Sequence, residues 1–406
     1  MMVLGVVPVF IWMERKGAAY IQDRRGPNRA SILGIRLGGV IHSLADAIKL
    51  LTKEEIAAAQ VSKPLFYLAP IIAFFIAGVT VAVVPFAEPL RVFGYEFTLQ
   101  IADLDAGLIY VFAMSSLGVY ALLIAGWSAC GKYPFLGALR AAAQMISYEV
   151  ALGLSVVAIF LFSGSLRLED IVLSQGALVW NWNVIRQPLA FVLFLAALFA
   201  ETNRLPFDLP EGESEIVAGY HTEYSSMRFA LFFMGEYAHI VVGSLIIAIL
   251  FLGGWQFPFI DATLLRSYSN EIFLFGWPIG AIVMLLFGGS ISSRFRRRYR
   301  DVRDYEPLIW GIPIMLFAAA LLIAWAGLMT QGYLNHLPEW IGPILVFMIQ
   351  LGTLLVKALF FCSFFIWVRW TLPRFRYDQL MSVGWKVMVP LGIANIIITS
   401  AVMVFY

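Results

Sequence analysis

Cysteine, histidine and charge are all scarce in this 406-residue sequence. The two cysteines, Cys130 and Cys362, form no CxxC pair, so nothing supports a cysteine-ligated iron–sulfur cluster or a structural disulfide. The four histidines have no spacing typical of metal ligands. We therefore expect this chain to bind no redox cofactor of its own.

Charged residues make up only 13% of the chain, whereas 61% is hydrophobic. Soluble domains contain about 25% charged residues, so the main solvent of this chain is lipid. Its basic residues lie in loops between apolar runs rather than on one face, so no nucleic-acid partner is expected. The runs are continuous rather than alternating, which favours helices over a β-barrel.

Ten apolar segments predict an all-α, polytopic transmembrane helical bundle. Residues 1–13 have no basic n-region and no small-residue cleavage site, which indicates the second half of a spanning helix rather than a signal peptide. Residues 41–56 are amphipathic and predict a helix lying in the membrane interface. The ten predicted spans are a short helix ending near Met13, then 64–84, 104–127, 141–163, 187–204, 229–253, 273–292, 307–329, 341–367 and 387–406.

The basic residues of the loops predict an orientation. With the N-terminus outside, the outer loops contain only four of them, and the others fall inside, as the positive-inside rule requires. The acidic segment 201–224, "ETNRLPFDLPEGESEIVAGYHTEY", then faces the cytoplasm. The four outer residues are Arg91, Arg167, Arg186 and Arg266.

That segment and the neighbouring spans carry the charges of greatest interest. Leu209, Ile216 and Val217 interrupt the acids of the segment, which indicates partial burial. A charge at the centre of a bilayer costs at least about 2.5 kcal/mol, so such residues pair, face the bundle interior or line a wet path. We favour a proton path; structural pairs, snorkelling side chains and a solvated acidic loop are the alternatives. The residues concerned are Glu149, Glu201, Arg204, Asp208, Glu211, Glu213, Glu215, Glu223, Glu236 and Lys357.

Five motifs in chain order carry a resemblance to a known family. They are "ERK…QDRRGPNR", "LADAIKLLTKE", "QMISYE", "AETNRLPFDLPEGESEIVAGYHTEYSSMRFALFFMGEY" and "FIWVRWTLPRFRYDQLMSVGWK". Together they resemble the H subunits of proton-pumping NADH:quinone oxidoreductase, respiratory complex I. The resemblance covers most of residues 11–257 and 341–406.

The resemblance implies a membrane subunit that joins the redox arm, forms the quinone tunnel and starts the proton-translocation path. It places eleven residues at the tunnel: Glu14, Arg15, Arg24, Arg25, Asp46, Lys49, Phe232, Phe233, Arg374, Arg376 and Asp378. It places nine on the proton path: Glu149, Glu201, Arg204, Asp208, Glu211, Glu213, Glu215, Glu223 and Glu236. No catalytic or metal-ligating residue is implied.

The resemblance also implies partners and a location. Quinone, either ubiquinone or menaquinone, would be the substrate, while NADH, FMN and iron–sulfur clusters would bind in partner subunits. Other subunits of a respiratory complex and membrane lipids would be the partners. The location would be a bacterial-type plasma (inner) membrane, with the acidic and basic loops on the cytoplasmic side.

The family has about eight spans, so we interpret residues 258–340 as an inserted helix pair with a basic cytoplasmic loop. This divides the chain into a membrane bundle with the tunnel entrance and acidic loop (1–257), the inserted pair (258–340) and a C-terminal helix pair with a cytoplasmic loop (341–406). Two alternatives stay open. One is a homologous subunit of a membrane-bound hydrogenase type of complex with another electron donor, and the other is a stand-alone ion-coupled transporter.

Overall fold

The structure, a computed structural model, describes residues 2–24, 26–32, 37–293, 302–330 and 340–405. Helices dominate it because most of the chain is apolar and its backbone groups must pair internally in lipid. The helices are α1 Met2–Ile21, α2 Ile41–Thr52, α3 Lys63–Thr80, α4 Gly107–Ser128, α5 Lys132–Ser163, α6 Leu168–Gln175, α7 Asn183–Arg186, α8 Pro188–Glu201, α9 Glu213–Ile216, α10 Ser226–Phe251, α11 Ala262–Ser267, α12 Ser269–Glu271, α13 Trp277–Ser293, α14 Val302–Thr330, α15 Ile341–Thr371, α16 Tyr377–Val383 and α17 Val389–Phe405.

Several short elements connect these helices. Two π-helical turns, Ile272–Gly276 and Gly384–Met388, lead into α13 and α17. One antiparallel hairpin, β1 Leu90–Val92 and β2 Tyr95–Phe97, follows α3 and pairs Arg91 with Glu96. The described residues also form 3₁₀ turns at Leu37–Gly39, Val81–Val83, Val179–Asn181 and Gly219–His221.

Eight helical stretches of the described chain are long and apolar enough to cross a membrane. The prediction of an all-α, polytopic membrane bundle is therefore confirmed. The ten predicted segments correspond to these eight, to the charged helix α1 and to α8, which has only 14 residues. The eight stretches are Lys63–Val83, Gly107–Ser128, Lys132–Ser163, Ser226–Phe251, Ile272–Ser293, Leu308–Gly327, Ile341–Thr371 and Tyr377–Phe405.

Two helices extend beyond the predicted boundaries. α1 continues eight residues past Met13, because Glu14, Arg15 and Lys16 end an apolar run without breaking a helix. α5 begins at Lys132 rather than at 141, and its Pro134 lies in the first turn, where a missing N–H costs nothing. A change in polarity marks a membrane boundary, whereas a helix ends where its backbone hydrogen bonding ends.

α10 lies at the centre of the bundle. It packs against α1, α2, α3, α6 and α15, and its side chains contribute the largest share of the main apolar core. The predicted amphipathic helix is present as α2, whose Leu44, Ile48 and Leu51 are exposed. α13 and α14 pack mainly against each other at the edge of the bundle. The elements that meet around α10 position the candidate site.

Candidate functional site

A cleft with a volume of about 500 Å³ lies between α1, α2 and α10. Four predicted tunnel residues line it: Arg15 from α1, Asp46 and Lys49 from α2, and Phe233 from α10. Arg15 and Asp46 form an ion pair that ties α1 to α2. The remaining lining is mostly apolar and consists of Val7, Pro8, Ile11, Ser43, Ala47, Leu50, Leu51, Met227, Phe229, Ala230 and Met234.

The cleft has the chemistry of a site for an amphipathic molecule. Small-molecule sites are concave and mainly apolar, with a few polar groups that fix the orientation of the ligand. Here the aliphatic side chains of α1 and α10 provide the apolar walls, and Arg15, Asp46 and Lys49 provide the polar groups. The aromatic rings of Phe229 and Phe233 stack at 6.0 Å between centroids and form one wall.

A cluster of buried charges lies directly behind Phe233. Glu14 of α1 is buried, forms an ion pair with Arg369 of α15 and accepts a hydrogen bond from the Tyr237 hydroxyl. Arg204, which follows α8, lies 3.7 Å from the same carboxylate. Glu14 therefore has partners from α10, from α15 and from the residues after α8. These partners offset the high cost of a carboxylate in a low-dielectric interior.

Arg204 connects the cleft to this cluster. Its guanidinium lies 4.4 Å from the ring centroid of Tyr237 and 5.9 Å from that of Phe233, which also lines the cleft. It also lies 3.5 Å from the carboxylate of Glu236. A cation between two acids and over two rings gains electrostatic attraction from each of them. Arg204 thus lies between a ring that lines the cleft and the two buried acids Glu14 and Glu236.

Glu236 joins the cluster to the acidic segment. The hydroxyl of Tyr220 donates a 2.9 Å hydrogen bond to its carboxylate. Tyr220 lies in the 3₁₀ turn of that segment and is fully buried; burial and then the charge of Glu236 raise the pKa of its hydroxyl well above the ordinary value. Tyr220 therefore remains a hydrogen-bond donor.

Two small cavities lie beyond Glu236, and the lining of the second is almost wholly apolar. The first, of about 30 Å³, is lined by Glu236, Glu201 and His239, and the second, of about 40 Å³, by Glu201, His239 and Ser115. Each exceeds the roughly 10–15 Å³ that one water molecule needs. The next helical residue, Ser116, donates a hydrogen bond to Glu149. Three predicted acids, Glu236, Glu201 and Glu149, thus follow one another in space, with the two cavities and Ser116 between them.

The acidic segment forms its own ion pairs. Asp208 pairs with Arg374 at 2.8 Å, and Glu215 pairs with Arg140 at 2.6 Å. Burial, followed by the charge of Glu211, raises the pKa of Asp208 to about 7, against the opposing effect of Arg374. Asp208 can therefore change its protonation state near neutral pH.

Three further acids complete the segment. Glu211 lies 4.0 Å from the Nδ1 atom of His221. Glu223 is half-buried and lies just before the start of α10. Glu213 begins α9, and its side chain lies outside the described part of the chain. The predicted partial burial of the segment is therefore confirmed at Asp208, Glu211 and Glu223.

Several predicted tunnel residues lie away from the cleft. Arg24 is exposed and bonds to Gln22, and Arg376 and Asp378 are exposed at the start of α16. Phe232 is buried in the second apolar core against Tyr220 and Tyr224. Arg25 lies outside the described residues.

Sequence reasoning missed several members of the site. Arg369 was counted only as an inside loop charge, although its place in "WVRW", at the end of an apolar run, was a usable signal. Tyr220, Tyr237 and Ser116 gave no signal, because a hydroxyl at these positions has a role only once its tertiary partner is known. Their partners come from distant positions, as with Glu14, 223 residues before Tyr237.

Lys357 has a different role from the acids. Its ammonium donates three hydrogen bonds, of 2.7, 2.9 and 2.8 Å, to the carbonyls of Leu252, Gly254 and Gln256 just after α10. It also lies 4.4 Å from the ring centroid of Trp182. These backbone carbonyls, at and just after the end of α10, suit the structural alternative for this charge, and the role of Lys357 stays a prediction.

An apolar helical bundle with a cleft beside a buried cluster of charges defines a class: a polytopic membrane protein with charged groups in its interior. The model of the NADH dehydrogenase family matches residues 1–400. The chain belongs to the NADH dehydrogenase family.

Three relatives are similar over nearly their whole length, and each is named as the H subunit of an NADH-quinone oxidoreductase. That of Flavobacterium psychrophilum is 38% identical over 395 residues, covering 97% of this chain and 92% of the relative. That of Solibacter usitatus is 39% identical over 396 residues, covering 96% and 90%. That of Bdellovibrio bacteriovorus is 38% identical over 427 residues, covering 99% and 93%.

Proposed function

We propose that this chain is the membrane subunit of an NADH:quinone oxidoreductase that holds the quinone and begins the proton path. The observation that carries the proposal is the position of Phe233 between the cleft and the buried charges. Its side chain lines the cleft, and its ring centroid lies 5.9 Å from the guanidinium of Arg204. The names of the relatives support the same assignment.

The cleft suits a quinone because its two parts match the two parts of that molecule. An isoprenoid tail would pack against the aliphatic walls formed by Ile11, Leu50 and Met234. The polar head would be oriented by Arg15 and Lys49, while Asp46 keeps Arg15 in place. Electrons would come from a partner subunit that holds the iron–sulfur clusters, and NADH and FMN would bind in partner subunits as well.

Coupling would start with the charge of the reduced quinone. A quinone takes up two electrons and two protons on reduction, and the negative charge that develops before protonation would attract Arg204. This would weaken the hold of Arg204 on Glu236 and raise the proton affinity of that acid. Glu236, Glu201 and Glu149 would then pass protons through the two small cavities. We propose Asp208, Glu211, Glu213, Glu215 and Glu223 as the cytoplasmic mouth of this path.

The remaining residues would form the docking surface. Arg24, Arg25, Arg376 and Asp378 would contact the redox arm at the cytoplasmic face of a bacterial-type inner membrane, with small membrane subunits and lipids around the bundle. The exposure of Arg24, Arg376 and Asp378 supports this, since exposed charges are available to a partner.

The substitution Ala47→Trp tests the proposal. Ala47 lines the cleft and is exposed, so an indole there would occupy the cleft without disturbing the apolar core. In the assembled complex we expect NADH:quinone reductase activity to fall about tenfold or more, equivalent to about 1.4 kcal/mol. Reduction of a water-soluble artificial acceptor by the redox arm should be unchanged.

Ala45→Trp is the matched control. Ala45 is exposed on the same helix but does not line the cleft, so its substitution should leave both activities intact. Unchanged quinone reduction in Ala47→Trp would remove the cleft from the quinone path.

A further inference from the structure

A second cleft, of about 390 Å³, lies at the end of α15 that is distant from Arg369. Its walls come from the loop after α3 together with β1, and from α6, α11 and the first turns of α15. Neither the cleft between α1, α2 and α10 nor the buried charges reach it. The lining residues are Glu88, Pro89, Leu90, Arg91, Glu169, Leu173, Arg266, Pro343, Val346 and Phe347.

The position of this cleft corresponds to the level of lipid headgroups. Pro343 and Arg369 are 26 residues apart on one helix, which is about 39 Å at 1.5 Å per residue. The hydrocarbon core of a bilayer is about 30 Å thick. With Arg369 at one boundary of the bilayer, Pro343 lies just beyond the hydrocarbon at the other.

Two acids and two arginines give the cleft a balanced charge. Glu88 pairs with Arg266 at 2.7 Å, and the side chains of Glu88 and Glu169 are only 18% and 21% exposed. The side chains of Arg266 and Arg91 are 56% and 81% exposed. The carboxylates therefore form the inner part of the cleft, and the guanidinium groups form its rim.

Each of these groups has capacity for a further partner. A carboxylate has about four lone-pair positions, and the ion pairs of Glu88 with Arg266 and of Glu169 with Arg167 leave part of them open. A guanidinium has five N–H donors; Arg91 uses two of its nitrogens on Glu96 and Arg266 uses one on Glu88, which leaves donors of both for a further partner. Leu90, Leu173 and Phe347 add an apolar wall beside the charges.

We propose that this cleft binds the headgroup of a zwitterionic phospholipid that carries a primary ammonium. The phosphate would lie at the rim against Arg91 and Arg266, because guanidinium binds phosphate through paired N–H donors. The ammonium would donate hydrogen bonds to Glu88 and Glu169, and an acyl chain would lie along Phe347. An anionic headgroup without the ammonium would leave both acids facing its negative charge.

Photolabelling of the purified complex tests this site. The complex is reconstituted into phosphatidylcholine vesicles containing a small fraction of phosphatidylethanolamine with a diazirine in the acyl chain, and adducts are mapped by mass spectrometry. We expect adducts on residues 169–173 and 343–347. The double substitution Glu88→Gln and Glu169→Gln should lower their yield about tenfold, as for the loss of a charge-assisted hydrogen bond.

Arg266→Gln provides a second variant if the double one fails to assemble, since Arg266 is largely exposed; it should lower the yield as well. Asp105→Asn, at an exposed acid that does not line the cleft, is the matched control and should leave the yield unchanged. Equal labelling by a phosphatidylglycerol analogue, yields unaffected by these variants, or a peptide of a neighbouring subunit cross-linked in the cleft would each overturn the proposal.

Discussion

α10 and the pair α13–α14 are similarly apolar, yet they occupy opposite situations in the bundle. In the most apolar window of α10, 78% of the residues are buried inside the chain, against 11% for the windows of α13 and α14. The interior of α10 contains Glu236 and His239, whereas the stretches 272–293 and 308–327 contain no Asp, Glu, Lys or Arg, and the charges of α14 lie only in its first turns. Apolar character alone therefore does not tell a central helix from a peripheral one.

The difference teaches where a membrane protein can keep a charge. A charged side chain that faces lipid has no partner, so the apolar stretches of helices at the edge of the bundle exclude it. A charge on a helix surrounded by other elements can find partners on them, as Glu236 of α10 does with Arg204 and Tyr220. Charge inside a span is thus a sequence signal of central position as well as of function.

Removing the central cation should have the largest effect. Arg204→Met leaves Glu236 without its cation and Glu14 with Arg369 alone. Breaking a buried ion pair from one side costs about 3–5 kcal/mol, so we expect little assembled complex in membranes. Native gel electrophoresis of solubilised membranes measures the assembled fraction.

A second substitution separates the charge from the packing. Arg204→Met combined with Glu236→Gln removes the unpaired charge and should recover part of the assembly. Arg140→Met, at a partly exposed pair with Glu215, should cost less than about 1 kcal/mol and assemble normally. Normal assembly of Arg204→Met alone would show that the central cluster does not stabilise the bundle.

An intermediate effect is expected at Asp208, in the segment between α8 and α10. Its pKa is raised from the ordinary 3.8 to about 7, first by burial, so its ionisation costs stability. This cost is absent at a pH below the pKa of Asp208 in the unfolded chain, and it is complete at a pH above the pKa of Asp208 in the folded chain. Asp208→Asn should therefore gain thermal stability over the native complex as the pH rises from about 4 to 8.

The measurement is the melting temperature of the assembled complex across that pH range. Asp105→Asn, at an exposed acid just before α4, should follow the native curve throughout and serves as the control. A constant difference between native and Asp208→Asn complexes would mean that the raised pKa has no part in stability.

The smallest effect is expected at the edge of the bundle. Deletion of residues 273–329 removes most of α13 and α14, whose contacts are chiefly with each other, so the charge cluster should remain intact. Quinone-reductase turnover should change by less than about threefold, which is under 1 kcal/mol. Steady-state assays of the assembled complex measure it.

One contact keeps this effect from being zero. The ring of Trp310 in α14 lies 5.3 Å from that of Trp12, one turn of α1 before Arg15. Trp310→Ala should reproduce whatever loss the deletion causes. If the deletion lowers turnover but Trp310→Ala does not, the helices α13 and α14 contribute to the site through a contact other than that of Trp310 with Trp12.

The fold was largely predictable because spans and loops follow from the one-dimensional pattern of polarity. The all-α bundle and the amphipathic helix α2 followed from apolar runs and periodicity alone. Helix ends were less accessible: Glu14 to Lys16 mark the end of the apolar run but lie inside α1. The hairpin β1–β2 was missed, since three-residue strands give almost no periodic signal.

The site was predictable in its charges but not in its connections. Motif resemblance identified Arg15, Asp46 and Lys49, and the structure brings them together at one cleft. It also assigned Phe232 and Phe233 to the same place, although neighbouring residues of a helix point in different directions, and only Phe233 lines the cleft. Which hydroxyls bridge the acids depends on tertiary packing.

Lys357 has a mechanical consequence for the bundle. Its three hydrogen bonds hold the C-terminal end of α10 to α15, and Arg369, twelve residues further along α15, holds Glu14 of α1. α15 is thus a brace that fixes α1 and α10 in height along the membrane normal. Sliding α10 would break three bonds in a medium that offers no replacement. The segment between α8 and α10 is held separately, by the pair of Asp208 with Arg374 just after α15 and by the hydrogen bond of Tyr220 to Glu236.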